Sequence, residues 1–526
     1  MMKRLLLLAG LLWLGMTGLA QNSVKYTTKE TASERVQKLY TKAVNYSRSE
    51  QYEDALKELK DLLKIDPNFI DGYLHWASIK YDQKEYAEAE EYFNKVLALD
   101  AQYSTRLWYQ MGLTLWNQEK FTESIDYFDR FAKSNDRNEE LKKRAAKYAA
   151  NARFAAEAIK NPVPFEPKKL GTDINTANAE YFPSLTADGE ALIYTVRINN
   201  QEDLYISRKK DGEWQKGMPI ADVNTERNEG TQQISADGKY LVFTMCDDNN
   251  SRPIGLGSCD IFYAELRNGQ WTKPKNLGAP VNSTAWDSQP SISANGQALY
   301  FTSNRPGGFG GSDIWVSYRQ SDGRWGKPVN LGENINTVGN DQSPFIHPDG
   351  STLYFMSDGH PGMGGTDLFI ARADANGRWG KAQNFGYPIN TRSDESALIT
   401  SLDGTTAYFS MVETQQETNV PFPTRADVNI YSFELPPTLR PNLVTYVKAK
   451  VIDDNTKAPL VAKVEFRDLK GNQTFANATT DADGEFLVVL PLGKEYALNV
   501  SKEKYLFHSE NFNLLELASK TTPYLL

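Results

Sequence analysis

Two consecutive stretches of this chain say nearly the same thing. Asn282 to Gly332 reads NSTAWDSQPSISANGQALYFTSNRPGGFGGSDIWVSYRQSDGRWGKPVNLG, and Asn336 to Gly386 reads NTVGNDQSPFIHPDGSTLYFMSDGHPGMGGTDLFIARADANGRWGKAQNFG. Self-similarity at one fixed period marks an array or a propeller. Inside each copy, short alternating runs such as Ala298–Thr302 and Asp313–Ser317 are bounded by Gly, Asn, Asp and Pro. Such runs are strands separated by turns, and about four strands in about 50 residues make one propeller blade.

Landmarks extend the alignment to five copies. An opening Asn recurs at Asn175, Asn224, Asn282, Asn336 and Asn390. An acid follows at Glu180, Glu229, Asp287, Asp341 and Glu395. A turn residue before Gly recurs at Asp188, Asp237, Asn295, Asp349 and Asp403, and a later strand opens at Asp203, Asp260, Asp313, Asp367 and Asn429. Trp214, Trp271, Trp325 and Trp379 open the last strand of the first four copies. The fifth copy lacks the Pro-x-x-Leu-Gly ending, which stands instead at the front as Pro167–Gly171. Ring closure by that leading segment is therefore expected, giving five blades over residues 163–435, with six as the alternative. Closure removes the open sheet edges that invite aggregation.

Upstream, the period is helical. Tyr52, Ala55 and Leu59 recur 34 residues later as Tyr86, Ala89 and Phe93, and a third copy carries Trp108, Gly112, Phe121, Phe128 and Phe131. This is the tetratricopeptide period, and residues 34–160 are expected to form an all-α stack with Arg137–Ile159 as its capping helix. Ala43, Ala77 and Gly112 sit where paired helices approach closely. Residues 21–33 read as a loose polar lead. Downstream, Pro436, Pro437 and Pro441 mark a linker, and residues 442–526 read as a small β-sandwich with strands at Val447–Ile452, Ala462–Arg467, Glu485–Leu490 and Tyr496–Val500. The chain is thus expected to be multidomain, as 526 residues exceed one core.

Lys3 and Arg4, then the apolar run Leu5–Leu19 ending in Gly18-Leu19-Ala20, form a secretory signal peptide over residues 1–20. No Cys follows it, so lipid attachment is not expected, and no later run is apolar enough to cross a bilayer. The formal net charge of −9 argues against nucleic-acid binding. Cys246 and Cys259 flank one loop. Without CxxC spacing or a nearby His, a local disulfide staple in an oxidising compartment is expected rather than a metal or redox pair.

Two readings apply to the five acids. Glu180, Glu229, Asp287, Asp341 and Glu395 precede the first, channel-lining strand of each repeat, so they form a candidate ring at one channel mouth that would suit calcium or a basic peptide tail. Alternatively, each accepts hydrogen bonds from turn amides of a neighbouring blade, and this reading is favoured. The glycine-rich Arg305–Gly311 loop opens no helix, so a plain hairpin loop is expected there rather than a phosphate cradle. The four histidines, His75, His347, His360 and His508, are scattered over three domains, and no Ser-His-Asp, His-x-x-x-His or Walker arrangement occurs. No cofactor and no catalysis are expected.

The helical repeats resemble the tetratricopeptide family, which implies binding of peptides or protein segments. Pro348-Asp349-Gly350 and Asp313-Ile314-Trp315 resemble the TolB-type propeller repeat. The run Thr480–Phe486 with Lys504-Tyr505 is similar to the carboxypeptidase regulatory-like fold, which implies a spacer or contact module. The order of parts resembles the PorE-type envelope proteins of Bacteroidetes associated with type IX secretion. That resemblance implies a non-enzymatic periplasmic scaffold at the outer membrane, with envelope or outer-membrane proteins as partners. Those proteins continue into an OmpA-like domain that holds peptidoglycan; no residue here matches its motif, so peptidoglycan binding does not carry over. The alternatives are a carbohydrate-active or glycan-binding propeller and an accessory subunit of an outer-membrane uptake complex.

Overall fold

The computed structural model describes residues 26–246, 255–412, 428–471, 473–514 and 524–525. The signal peptide read over residues 1–20 lies outside the described residues. The chain divides into two compact units, Met1–Ala149 and Ala150–Leu526.

The first unit is a stack of antiparallel helices: α1 (Glu34–Arg48), α2 (Tyr52–Ile65), α3 (Ile70–Asp82), α4 (Tyr86–Leu99), α5 (Thr105–Asn117), α6 (Phe121–Ala132) and the start of α7 (Glu139–Ala158). Ser33 caps α1 by accepting from the Val36 amide. Each pair turns through a left-handed residue, Glu50, Lys84 or Glu119, at equivalent places. Small residues set the interhelical distance. Ala43 and Ala77 are fully buried, and a Cβ on Gly112 would lie 2.8 Å from the Phe128 ring. Phe93, Phe128 and Phe131 are fully buried among the helices.

Residues 26–33 are not loose. The Thr27 amide donates to the Asn68 carbonyl, the Ile70 amide donates back to Thr27, and the Lys29 amide donates to Asp71 Oδ2. Tyr26 donates to Asp100 and packs edge-on against Tyr103. The segment supplies hydrogen-bond partners to the turns between repeats, which polar composition alone does not reveal.

Among the described residues, the second unit holds five antiparallel sheets in succession. Sheet 1 is Ala179–Leu185, Ala191–Ile198, Gln201–Lys210 and Glu213–Trp214; sheet 2 is Asn228–Ile234, Tyr240–Cys246, Cys259–Arg267 and Gln270–Trp271. Sheet 3 is Asp287–Ile292, Ala298–Ser303, Asp313–Tyr318 and Val329–Asn330; sheet 4 is Asp341–Ile346, Thr352–Ser357, Asp367–Arg372 and Gln383–Asn384. Sheet 5 is Leu398–Thr400, Thr406–Val412, Val428–Glu434 and, as its outer strand, Lys168–Lys169. The leading strand pairs Lys168 with Ser432 and Lys169 with Tyr431, so the two ends of the repeat region lie in one sheet. The tryptophans differ from expectation. Trp325 and Trp379 form only isolated bridges at hairpin ends, and the outer strands of sheets 3 and 4 begin later, at Val329 and Gln383.

Each first strand hairpins into the second through a turn whose glycine, Gly189, Gly238, Gly296, Gly350 or Gly404, has φ between 65° and 73°. That left-handed conformation explains the Asp/Asn-Gly landmark. Beyond the linker lie two further sheets, one of Glu485–Pro491, Val444–Lys450 and Tyr524–Leu525, the other of Gln473–Thr479, Lys463–Asp468, Glu495–Ser501 and His508–Asn513. Phe466, Leu490, Tyr496 and Val447 are buried between them.

Candidate interaction surfaces

The repeated side chains divide by what they touch. All five opening asparagines act as substitute backbone. Asn282 Oδ1 accepts from the Ile261 amide at 2.8 Å, and its Nδ2 donates to the Ile261 carbonyl at 2.9 Å. Asn224 does the same on Leu204, Asn336 on Ile314 and Asn390 on Leu368. Each clasp joins one repeat to the third strand of the sheet before it. Asn175 closes the series by clasping Ile430 of sheet 5.

The five acids are held by the opening turn of their own repeat. Thr225 donates to Glu229 from both amide and hydroxyl; Ser283 does so to Asp287, Thr337 to Asp341, and Thr391 to Glu395. Thr176 donates its hydroxyl to Glu180. This is the hydrogen-bonded reading with one difference: the amides belong to the same repeat, four residues back, not to a neighbour. Glu180, Glu229, Asp287 and Asp341 are fully buried. Burial pushes the Glu229 carboxyl up to about 7 against the pull of Thr225, and raises Glu180 and Asp341. In sheet 3 a cation joins the acid: Arg305 pairs with Asp287 at 2.5 Å and lies over the Phe301 ring. Among the described residues no group of three or more His, Cys, Asp or Glu is arranged to hold a metal.

The central cavity is lined by none of these acids. Its walls are residues 182–183, 231–233, 289–291, 343–345 and 397–399 of the five first strands, and its volume is about 50 Å³. Sheets 1 to 4 each carry a β-bulge at this level, with Phe182, Thr231, Gln289 and Ser343 at φ 48–54°. A bulge frees an amide from the ladder, and a hydroxyl from the second strand of the preceding sheet accepts it. Thr244 accepts from the Gln289 amide and Ser410 from Phe182, while the Ser343 amide is shared between Thr302 Oγ1 at 3.1 Å and Gln289 Oε1 at 2.9 Å. The equivalent residue of sheet 4 is Met356, which has no hydroxyl, and Ala397 in sheet 5 is not left-handed. That seam is apolar instead, filled by Phe345, Leu368, Phe385 and Leu398.

The turns between first and second strands meet the C-terminal sheets. Ala187, Ala236, Ala294 and Leu402, one from each of four turns, cluster with Val444, Tyr446, Leu487 and Val489. Lys239 pairs with Asp481 at 2.9 Å, and the Asn442 amide donates to Asp349. One face of the repeat region is therefore covered by the chain itself.

On the opposite ends of the strands, Cys246 and Cys259 form a disulfide between directly paired residues. The Asp opening the third strand cages the loop before it. Asp260 accepts from the Leu256 and Gly257 amides, Asp313 from Phe309, and Asp367 from Met363 and Gly364. The Arg305–Gly311 segment is thus a hairpin loop whose amides are already engaged in part by Asp313. His75, His347 and His360 share no site: His75 contacts Ser47 Oγ, His347 the Leu402 carbonyl and His360 the Ile335 carbonyl.

Comparison with known proteins matches residues 46–147 to the tetratricopeptide repeat family. No curated protein matches the chain. Among solved structures the chain is similar to TolB from Acinetobacter baumannii, at 18% identity and TM-score 0.31 over 45% of this chain and 49% of that one. It is also similar to the putative TolB from Agrobacterium tumefaciens, at 14% identity and TM-score 0.30 over 60% and 91%. The α-L-arabinofuranosidase from Lactobacillus brevis matches at 12% identity and TM-score 0.36 over 51% and 97%. The chain spans about half the length of the Acinetobacter TolB. A tetratricopeptide stack followed by a strand-rich region of curled sheets is the class these findings define, and such folds suggest a protein-interaction scaffold.

Proposed function

We propose that this chain is a non-enzymatic scaffold of the periplasm, held at the outer membrane and joining components of a type IX secretion or related cell-surface complex. The strand-rich region is read as a five-bladed TolB-like propeller closed by Lys168–Lys169, and the C-terminal sheets as a carboxypeptidase regulatory-like module. The tetratricopeptide match carries the reading, because stacked helix pairs present an extended concave surface suited to protein segments. The leading residues, with Lys3, Arg4 and the apolar run to Ala20, support export. One further observation favours holding over turnover: the repeated acids are tied to their own turns.

Affinity purification of the tagged full chain from an envelope extract tests this reading. Stoichiometric recovery of at least one outer-membrane or periplasmic protein, lost when residues 34–160 are deleted, is expected. Recovery of no partner, or turnover of a glycan panel abolished by Asp287→Asn or Asp341→Asn, would overturn it.

A further inference from the structure

Three loops of the repeat region have the same construction. Gly255-Leu256-Gly257 precedes Asp260, Gly308-Phe309-Gly310 precedes Asp313, and Gly362-Met363-Gly364 precedes Asp367. The Asp of each accepts amides of its loop, as described above, and a Cβ on Gly255, Gly308 or Gly362 would overlap the Asp carboxylate. The second glycine of each triplet packs on the opening turn of the next repeat: Gly257 on Ser283 and Ala285, Gly310 on Thr337–Gly339, Gly364 on Thr391–Ser393. Backbone caged on one side and pressed against a turn on the other fixes the residue between the two glycines, and it is apolar in all three: Leu256, Phe309 and Met363.

Their exposures differ. Met363 is 1% exposed, whereas Leu256 and Phe309 are each 49% exposed, and Val338, on the turn beneath Phe309, is 88% exposed. The Met363 loop is the one that receives a helix of its own unit. Asn151, in the stretch Ala150–Ala158 that belongs to the second unit, accepts from the Gly362 amide and is itself buried, as are Ala152 and Ala155. So one of three equivalent knobs is occupied by an alanine-rich helix with an asparagine acceptor, and two stand open.

We propose that Leu256 and Phe309, with Val338, form a docking surface for an alanine-rich helix of a partner protein, seated as the end of α7 is seated at Met363. The helix offers small residues for close approach to the glycine loops and a side-chain acceptor for the Gly308 amide. The surface lies at the strand ends opposite those covered by the C-terminal sheets, so the chain's own domain does not compete for it. The proposal deepens the scaffold reading, on which it rests, by naming a face and a partner chemistry.

A fluorescent peptide with the sequence of residues 139–160, added to the dilute intact chain and followed by anisotropy, tests it. Saturable binding is expected. Half-exposed Leu and Phe side chains contribute on the order of 1.5 kcal/mol each when covered, so Leu256→Ser or Phe309→Ser should weaken binding about tenfold each, with the melting temperature unchanged. Neither loop residue is in a buried core, and a third variant, Val338→Ser, should weaken binding by a smaller factor. A peptide with Pro in place of Ala152 should not bind, because helix is required. Absence of saturable binding up to roughly 1 mM, or equal binding by the doubly substituted chain, would overturn the docking surface. The scaffold reading would then still stand on partners recovered through residues 34–160.

Discussion

Asn282 shows how the fold uses single residues in place of chemistry. Its side-chain amide pairs with the Ile261 backbone as a strand residue would, at full burial. Asn282→Ala leaves one buried N–H and one buried C=O unpartnered, at about 1–3 kcal/mol each. The second unit should lose roughly 2–6 kcal/mol in denaturant unfolding, whereas an exposed turn asparagine such as Asn376 should be near neutral. The acids yield a pH dependence of definite sign. Burial lifts Glu229 from its ordinary 4.5 to about 7 and Asp367 from 3.8 to about 6. Between those values the folded chain holds protons that the unfolded chain has released, so the contribution of these two groups is full below pH ~4 and falls as pH rises toward 7. The melting temperature of the second unit should be lower at pH 8 than at pH 5, and Glu229→Gln should reduce that difference. A melting temperature that rises over this interval would contradict the protonated state. The positions of both residue types were legible in the sequence as periodic landmarks. Their partners were not: Asn282 reaches 21 residues back to another sheet, a distance that spacing within one repeat does not encode.

At the scale of elements, seams between sheets follow a rule that the sequence states only once the bulges are known. A Thr or Ser on one second strand accepts the amide that the next bulge frees, and where Met356 replaces it the next strand has no left-handed residue. Thr244→Val should therefore cost about 1–3 kcal/mol and speed hydrogen exchange of the Gln289 amide, whose acceptor is Thr244, while amides of sheet 4 stay protected. Unchanged protection at Gln289 would contradict this seam. Strong alternation made the central strands readable. The missed strands Gln473–Thr479 and His508–Asn513 lie at the edges of their sheet, where one side faces no neighbour and polar residues are tolerated. Residues 26–33 were misread for a related reason, since their order comes from backbone bonds to the repeat turns rather than from apolar side chains.

For the whole molecule, the displaced Pro-x-x-Leu-Gly at the front was enough to anticipate the pairing of Lys168–Lys169 with sheet 5. Deleting residues 163–171 should expose the Val428–Glu434 edge and remove the Leu170 amide that bonds Ile430. Soluble yield should fall and aggregation rise, as read by light scattering. Coverage of one face by the C-terminal sheets was not legible, because Ala187, Ala236 and Ala294 look like ordinary turn residues until their apolar partners are placed beside them. On the scaffold reading, the helical stack engages other proteins. Cross-linking mass spectrometry on the native chain in intact envelopes addresses this most directly. Links from exposed lysines of the stack, such as Lys38 and Lys60, to a second envelope protein are expected. Cross-links confined to the chain itself, together with hydrolysis of a glycan that disappears in Asp287→Asn, would contradict it.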